Sequence, residues 1–280
     1  MQILPSLFTC PICRKPLLRM ENSYRCWSGH SYDLSAAGYI HLLPANKMHS
    51  KNPGDDKAMV AARTAFLDAG YYESLRQALC SIAADLCAGK EDCTLFDSGC
   101  GEGYYTFGIH NTLRQSGVAV RTAGIDISKH ALRKAARRLP EGEFAVASAY
   151  DLPLMDESVD LLYNVFSPMA REEFLRVLRP GGHLIYVVPS ARHLWEMKGL
   201  LYETPYENDT SRANYEGFAH VGTRTVRETI CLTENAHIMA LFGMTPYAHK
   251  TPKGGIERLQ ALETLETTIG FDVHIYQKQA

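Results

Sequence analysis

Along the first 45 positions, apolar residues come in ones and twos between Cys, Pro and Gly, as at 23–25 and 31–34, with no sustained helical period. Such short extended pieces predict a small module of strands and turns over residues 1–45. Residues 46–70 read as a linker running into a helix: 44–54 is polar and turn-rich, Asp55 and Asp56 favour a helix start, and Gly70 stops the helix after Asp68. Tyr72, Leu75, Leu79, Ile82 and Leu86 then recur at steps of three and four, the stripe of an amphipathic helix that packs on a sheet. Short apolar runs follow at 94–97, 120–126, 143–147, 159–164 and 183–189, separated by helical segments. That alternation predicts a doubly wound, mainly parallel sheet with helices on both faces. Ser128 is placed to cap a helix at 129–139, and Pro180, Gly181 and Gly182 to end one at 172–179. Within the main domain, 71–280, residues 193–202 read as a helix, and about 190–224 form an insertion too long for an ordinary connector, the kind of segment that covers a site. Strands are predicted at 225–232 and 271–276, with a helix between them that carries Ile256, Leu259, Leu262 and Leu265 and ends at Gly270.

The 280 residues, 46% hydrophobic and 21% charged, suffice for one large core and exclude a disordered or collagen-like chain. Lys and Arg number 29 against 31 Asp and Glu, a formal charge of -2, so any grip on nucleic acid has to come from local patches. One such patch lies in the first 53 positions, where Arg14, Lys15, Arg19, Arg25, Lys47 and Lys51 face only Glu21 and Asp33. Residues 1–9 lack the basic start and apolar stretch of a signal peptide, and no apolar run approaches the roughly 20 residues that cross a bilayer. A cytosolic protein without a membrane partner is expected. Eight cysteines are too few for a disulfide scaffold of this length.

Three of those cysteines point to a metal. Cys10 and Cys13 form one pair, and Cys26 and His30 form a second after twelve intervening residues, so four soft or borderline donors on two tight turns can converge on a tetrahedral ion. Zinc is the matching ion. All four positions are filled by protein, which makes the site structural, and a module this small draws its folding energy from the metal. His41 and His49 fall outside the pattern.

A second constellation follows the strand at 94–97. Asp97 ends it, and Gly99, Gly101 and Gly103 lead into a helix near Tyr104. Glycines at alternate positions let backbone touch a ligand, and the helix start offers free N–H donors. The order G-x-G-x-G departs from the dinucleotide fingerprint G-x-G-x-x-G, and no P-loop sequence occurs, so phosphorylated cofactors are disfavoured. Asp126 ends the next strand, placed to accept hydrogen bonds from two ribose hydroxyls.

Together these features resemble the class I S-adenosylmethionine-dependent methyltransferases, whose sheet has seven strands, and residues 174–182 are similar to the segment before that superfamily's fifth strand. The resemblance implies that the segment after the third strand, with Ser148 and Ala149, lies along the adenine. It also implies that the end of the fourth strand faces the methyl group, where Asn164 and Ser167 can hydrogen-bond a base edge and Phe166 can stack on it. A zinc module ahead of such a domain resembles one family closely, the 23S ribosomal RNA (guanine-N1)-methyltransferases, including the tylosin-resistance type. Shared segments cover nearly the whole chain: Arg63-x-x-Phe66-Leu67-x-x-Gly70-x-Tyr72, Gly101 to Thr106, Arg192 to Gly199, and Met244-Thr245-Pro246-Tyr247.

Membership would make Tyr72, Gly101, Glu102 and His193 cofactor contacts, and the protein a homodimer whose zinc-ribbon-like domains grip a 23S RNA hairpin. Arg14, Lys15, Arg19 and Arg25, with Trp27 and Tyr32, would hold phosphates and unstacked bases. Lys129, Arg133 and Arg137 read as a solvated helix face. His193 and Glu196 both have the chemistry of a general base, and the sequence does not choose between them. Two other readings stay open: a methyltransferase of the same fold acting on a small molecule, and a zinc-containing RNA-binding protein without turnover. In each, the metal module and cofactor domain are expected to be separable.

Overall fold

The computed structural model describes residues 4–48, 53–210 and 214–279, which leaves His49 and Lys51 outside it. Four short strands, β1 (Leu4–Thr9), β2 (Pro16–Arg19), β3 (Ser23–Cys26) and β4 (Ser31–Asp33), pair antiparallel in sequence order. A fifth, β5 (Tyr39–His41), leaves this sheet and joins the large one. The sequence predicts no strand there and assigns these residues to the small module. Their backbone instead pairs in parallel with Phe144, Ala145 and Val146, closing an edge that a four-residue strand would otherwise expose.

Helix α1 (Lys57–Asp68) starts at Asp56, whose carboxylate accepts the N–H groups of Ala58 and Met59, and Gly70, at φ 85°, ends the turn that follows. Helix α2 (Glu73–Leu86) buries Leu75, Leu79 and Ile82 of the predicted stripe, with Leu86 half-buried at its end. Strands β6 (Asp92–Ser98), β7 (Ala119–Asp126) and β8 (Glu143–Val146) alternate with α3 (Tyr104–Gln115) and α4 (Lys129–Arg138). Next come β9 (Val159–Val165), α5 (Arg171–Val177), β10 (Leu178–Pro189) and α6 (Trp195–Leu201). The chain closes with β11 (Phe218–Leu232), α7 (Asn235–Gly243), α8 (Lys253–Gln260) and β12 (Leu265–Lys278). None of the described helices is long and apolar enough to cross a membrane.

The large sheet has eight strands in the order β11-β12-β10-β9-β6-β7-β8-β5, with β12 antiparallel to both neighbours and the rest of its pairs parallel. Without β5 it is the seven-stranded doubly wound sheet expected. Strand order reverses between β6 and β9, and a crevice opens beyond their carboxyl ends. The last two strands are longer than predicted. β11 already starts at Phe218, inside the expected insertion, and β12 takes in Leu265 and Gly270, which the sequence assigns to a helix. The reason is the period: Leu265, Thr267, Ile269, Phe271 and Val273 are buried in alternation, while the helical spacing stops at Leu262.

The small module is fused to the large sheet. Phe8, Leu17 and Tyr24 share one apolar cluster with Leu152, Leu154, Phe174 and Leu178. The Thr9 N–H donates to the Pro153 carbonyl at 2.7 Å, the Leu7 N–H to Glu143 at 3.1 Å, and Arg14 pairs with Asp151. These three polar contacts land on β8 or on the loop after it. The two parts therefore share a core, whereas the sequence reading expects metal loss to leave cofactor binding largely intact. Truncating Phe8, which is fully buried and bridged to Leu154, opens a cavity in the shared core at a cost of about 3–5 kcal/mol. Calorimetry of Phe8→Ala is expected to show a single transition at lower temperature; two resolved transitions would show independent units.

Candidate active site and metal centre

Cys10, Cys13, Cys26 and His30 converge as the spacing predicts, their ligand atoms all within 4.8 Å of one another. His30 Nδ1 lies 3.4 Å from the sulfurs of both Cys10 and Cys26, and the Cys13 and Cys26 sulfurs are 3.6 Å apart. A backbone hydrogen bond from Lys15 helps draw the Cys13 thiol down to about 6, toward the thiolate that a metal needs. Three thiolates and one imidazole in this closed arrangement fit a structural Zn²⁺. The Tyr32 hydroxyl, 3.1 Å from the Cys10 sulfur, supports this centre from behind and leaves Trp27, 75% exposed, as the free aromatic ring of the knuckle.

At the switch point of the sheet lies a cleft of about 1000 Å³. Its floor is the turn from β6 to α3, where Gly99, Gly101 and Gly103 have φ of 84°, 54° and 78°. Each glycine is needed for a different reason. A Cβ on Gly99 would collide with Ser167, and one on Gly103 would stand 3.0 Å from the Ala135 backbone of α4. A Cβ on Gly101 would meet nothing closer than 3.9 Å, so the left-handed backbone alone requires glycine there. Asp126 fastens the turn, accepting the Gly101 N–H at 3.0 Å and the Ser128 N–H at 2.7 Å.

Around this floor stand Asp97, Glu102 and Asp126. Asp97 accepts the Thr106 hydroxyl at 2.6 Å on one oxygen, while its other oxygen and both oxygens of Glu102 are buried without a hydrogen-bond partner among the described residues. Burial, with Asp126 and Glu102 nearby, lifts Asp97 to about 7. Burial raises Glu102 and Asp126 too, offset for Glu102 by the Arg63 guanidinium at 3.9 Å and for Asp126 by its two N–H donors. Three acidic groups, two of them with orphaned acceptors, disfavour phosphate and favour a cationic ligand rich in N–H and O–H groups. An adenosyl sulfonium with a free ammonium and two ribose hydroxyls matches that requirement.

Tyr72 and His193 line the cleft together, the phenol oxygen 3.4 Å from His193 Nε2, with Phe271 packed edge-on against Tyr72. His193 Nδ1 accepts the Gly270 N–H at 3.2 Å, so the neutral ring carries its proton on Nε2. Burial and the Lys198 charge pull its pKa down to about 3. Glu196 accepts three hydrogen bonds from Thr267 and Thr268 and ties α6 to β12. Of the two residues that the sequence leaves as general-base candidates, His193 lines the cleft and Glu196 does not.

Phe166 and Ser167 line the far end of the cleft, Phe166 at φ 55° with its ring 5.4 Å from that of Phe271. Asn164 does not line it: fully buried, it donates from Nδ2 to the Pro168 carbonyl at 3.0 Å and so shapes the turn that presents Phe166 and Ser167. Ser148 and Ala149 also lie outside the lining, in the loop braced by the zinc module, where the Ser148 hydroxyl accepts the Tyr150 N–H at 3.2 Å. Sequence reasoning missed Arg63, Tyr206, Asn208 and Tyr247, which line the cleft from α1, the insertion and the turn after α7. Arg63 and Tyr247 stand inside the quoted family segments, a signal that could have found them; Tyr206 and Asn208 have none beyond the insertion's length.

Comparison with known proteins agrees with these two centres. A zinc-ribbon family described as RlmA, N-terminal, matches residues 8–51, and a family described as Methyltransferase domain matches residues 96–186. The chain is 35% identical over 285 residues to a member of the 23S rRNA (guanine-N(1)-)-methyltransferases from Micromonospora griseorubida, covering 93% of this chain and 92% of that one. It is 35% identical over 233 residues to the 23S rRNA (guanine(748)-N(1))-methyltransferase of Streptomyces fradiae, covering 81% of this chain and 80% of the relative. The YcgJ protein of Bacillus subtilis shares the fold, with a TM-score of 0.50 at 14% identity over 73% of this chain and 99% of its own.

Two outcomes are expected from this geometry. Because Asp97 titrates near 7 when folded and well below that when unfolded, the ligand-free protein loses stability as pH rises from about 4 to about 7. In urea titrations Asp97→Asn is expected to flatten that slope and to be the more stable protein at pH 8; an unchanged slope would move the titration elsewhere. Cys26→Ala is expected to release the metal and, through the shared core, to weaken ligand binding in the cleft severalfold. Calorimetry showing intact binding after metal loss would refute the coupling.

Proposed function

The chain belongs to the family of 23S rRNA (guanine-N1)-methyltransferases, and from that membership we propose that it transfers a methyl group from S-adenosylmethionine to N1 of an unpaired guanine in a hairpin of 23S ribosomal RNA. The observation that carries the cofactor half of this reading is the set of buried, unpartnered carboxylate oxygens of Asp97 and Glu102 around the glycine turn. They suit an ammonium group, and Asp126, lining the same cleft with its carboxylate already oriented by two backbone N–H groups, suits the ribose hydroxyls. S-adenosylmethionine supplies a methyl group already activated on a sulfonium, so no covalent intermediate with the protein is required. The chain's task is to hold the acceptor nitrogen in line and keep water out.

N1 lies on the pairing edge of guanine, so the base has to leave its stack to be reached. Phe166, 45% exposed in the cleft and held in a left-handed conformation, offers a face for it, and Ser167 a hydroxyl for its edge. As the N–C bond forms and the methyl–sulfur bond breaks, the N1 proton passes to water at the mouth of the cleft; His193 holds its ring proton on Nε2 and Glu196 carries three threonine hydrogen bonds. On the zinc module, Lys15, Arg25 and Trp27 are exposed for phosphates and unstacked bases, whereas Arg14 is tied to Asp151. The same membership supports a homodimer with two such modules on one hairpin, and a cytoplasmic site of action alongside the ribosome.

Incubation of the protein with unmodified 23S RNA and methyl-labelled cofactor, followed by mapping of reverse-transcriptase stops, is expected to reveal one modified guanine. Asp126→Ala is expected to lower cofactor affinity about tenfold or more. Transfer to a small metabolite and not to RNA would replace this reading with a small-molecule enzyme. Cofactor binding without any transfer would leave an RNA-binding protein.

A further inference from the structure

The insertion after β10 is fastened over the cleft by one buried cation. Lys198 of α6 is fully buried, and its Nζ donates to the Tyr206 carbonyl at 3.0 Å and to Asn208 Oδ1 at 2.8 Å. The same ammonium stands 4.6 Å from the centroid of the Tyr206 ring and 5.6 Å from that of Tyr247. Asn208 completes the fastening: its N–H donates to the Ala191 carbonyl and its Nδ2 to the Ser190 carbonyl, both at 2.8 Å. Each hydrogen-bond partner of Nζ is neutral, so no opposite charge in hydrogen-bond contact offsets the desolvation of the lysine. A hydrophobic side chain would fill this space at lower cost. What the ammonium does is hold one segment of backbone and one aromatic ring in place.

That ring is unusual for its position. Tyr206 lines the cleft yet remains 51% exposed, and Phe166, lining the same cleft, is 45% exposed. Phe166 packs on Phe271 and Tyr206 on Tyr202, and no ring contact among the described residues joins Phe166 to Tyr206. Two half-exposed aromatic rings in one cleft, each backed from its own side, leave room for a planar group against them. We propose that Tyr206 is a stacking residue for the target guanine and that Lys198 is its positioning residue. The inference rests on the RNA reading above and adds to it a recognition element supplied by the insertion. Lys198 takes one face of the ring and the purine takes the open one; the carbonyl bond fixes the backbone that carries the ring, and the ring cannot swing away without losing the cation–π contact.

The test is steady-state transfer from labelled cofactor to an unmodified 23S RNA transcript, with cofactor affinity measured separately by calorimetry. Tyr206→Ala is expected to raise KM for RNA about tenfold or more, the usual loss for one stacked base, with cofactor Kd within about twofold. Tyr206→Phe keeps the ring and is expected to stay close to the parent. Lys198→Met is expected to reproduce the rise in RNA KM. Asn208→Ala, which leaves the cation in place and frees the segment, serves as the second positioning variant should Lys198→Met fail to fold. Three outcomes overturn the inference: an unchanged RNA KM in Tyr206→Ala, equal damage in Tyr206→Ala and Tyr206→Phe, or a parallel loss of cofactor affinity. A parent protein that transfers no methyl to 23S RNA overturns the functional reading instead.

Discussion

Asp126 accepts one N–H from Gly101 and one from Ser128, and with these two bonds a single carboxylate joins the loops that leave β6 and β7. Most of the cleft depends on that junction. The Gly101 bond holds the left-handed turn from which α3 departs, and the Ser128 bond sets the start of α4, whose Ala135 lies against Gly103. Hydrogen bonds to an ionised group contribute about 1.5–3 kcal/mol each, enough to hold the flexible glycine turn in one conformation before any ligand arrives. The floor of the cleft is therefore built in advance, and binding does not have to fold it.

Such preorganisation leaves the site electrostatically frustrated. Asp97 and Glu102 have buried oxygens with no donor, and burial has raised the pKa of all three cleft carboxylates. Arg63, paired with Asp55 and close to Glu102, relieves only part of this. An isolated domain selected for stability alone would not keep acids in this state; a ligand that brings an ammonium and hydroxyl groups satisfies them, and a phosphorylated one does not. The neighbouring histidine follows the same logic from the other side. His193 is held neutral by burial, so it adds no charge that would compete with a cationic guest.

The metal centre and the cleft are mechanically linked through β8 and the loop after it. The knuckle cysteines Cys10 and Cys26 belong to the apolar cluster that contains Leu152 and Leu154, and the Thr9 and Leu7 N–H groups bind Pro153 and Glu143. A module of this size has too little core of its own, and here it borrows one from the sheet while zinc fixes its turns. The β5 strand makes the attachment continuous by extending the sheet itself.

Local chemistry was readable in the chain itself. The spacing of Cys10, Cys13, Cys26 and His30, the glycines at 99, 101 and 103, the acids ending two strands and the alternation of helix and strand are short-range patterns, each satisfied within a few residues or one secondary element. What depended on long-range packing was not. Asn164 is buried with its Nδ2 bonded to the Pro168 carbonyl, and Ser148 and Ala149 lie outside the cleft lining in the loop braced by the zinc module. β5 crossed from one sheet to another to cover an edge, and the helix that carries Ile256 and Leu259 stopped at Gln260, leaving Leu265 onward to pair as a strand with β11. Lys198 shows the difference most plainly. In sequence it is one cation in a helical segment, and only a folded insertion, bringing Tyr206, Asn208 and Tyr247 around its ammonium, converts that charge into a fastening for the mouth of the cleft. Sequence by itself determined which chemistry the chain carries, because ligand spacing and turn glycines are local; tertiary structure decided which of those groups face the cleft, because burial and hydrogen-bond satisfaction are settled between segments far apart in the chain.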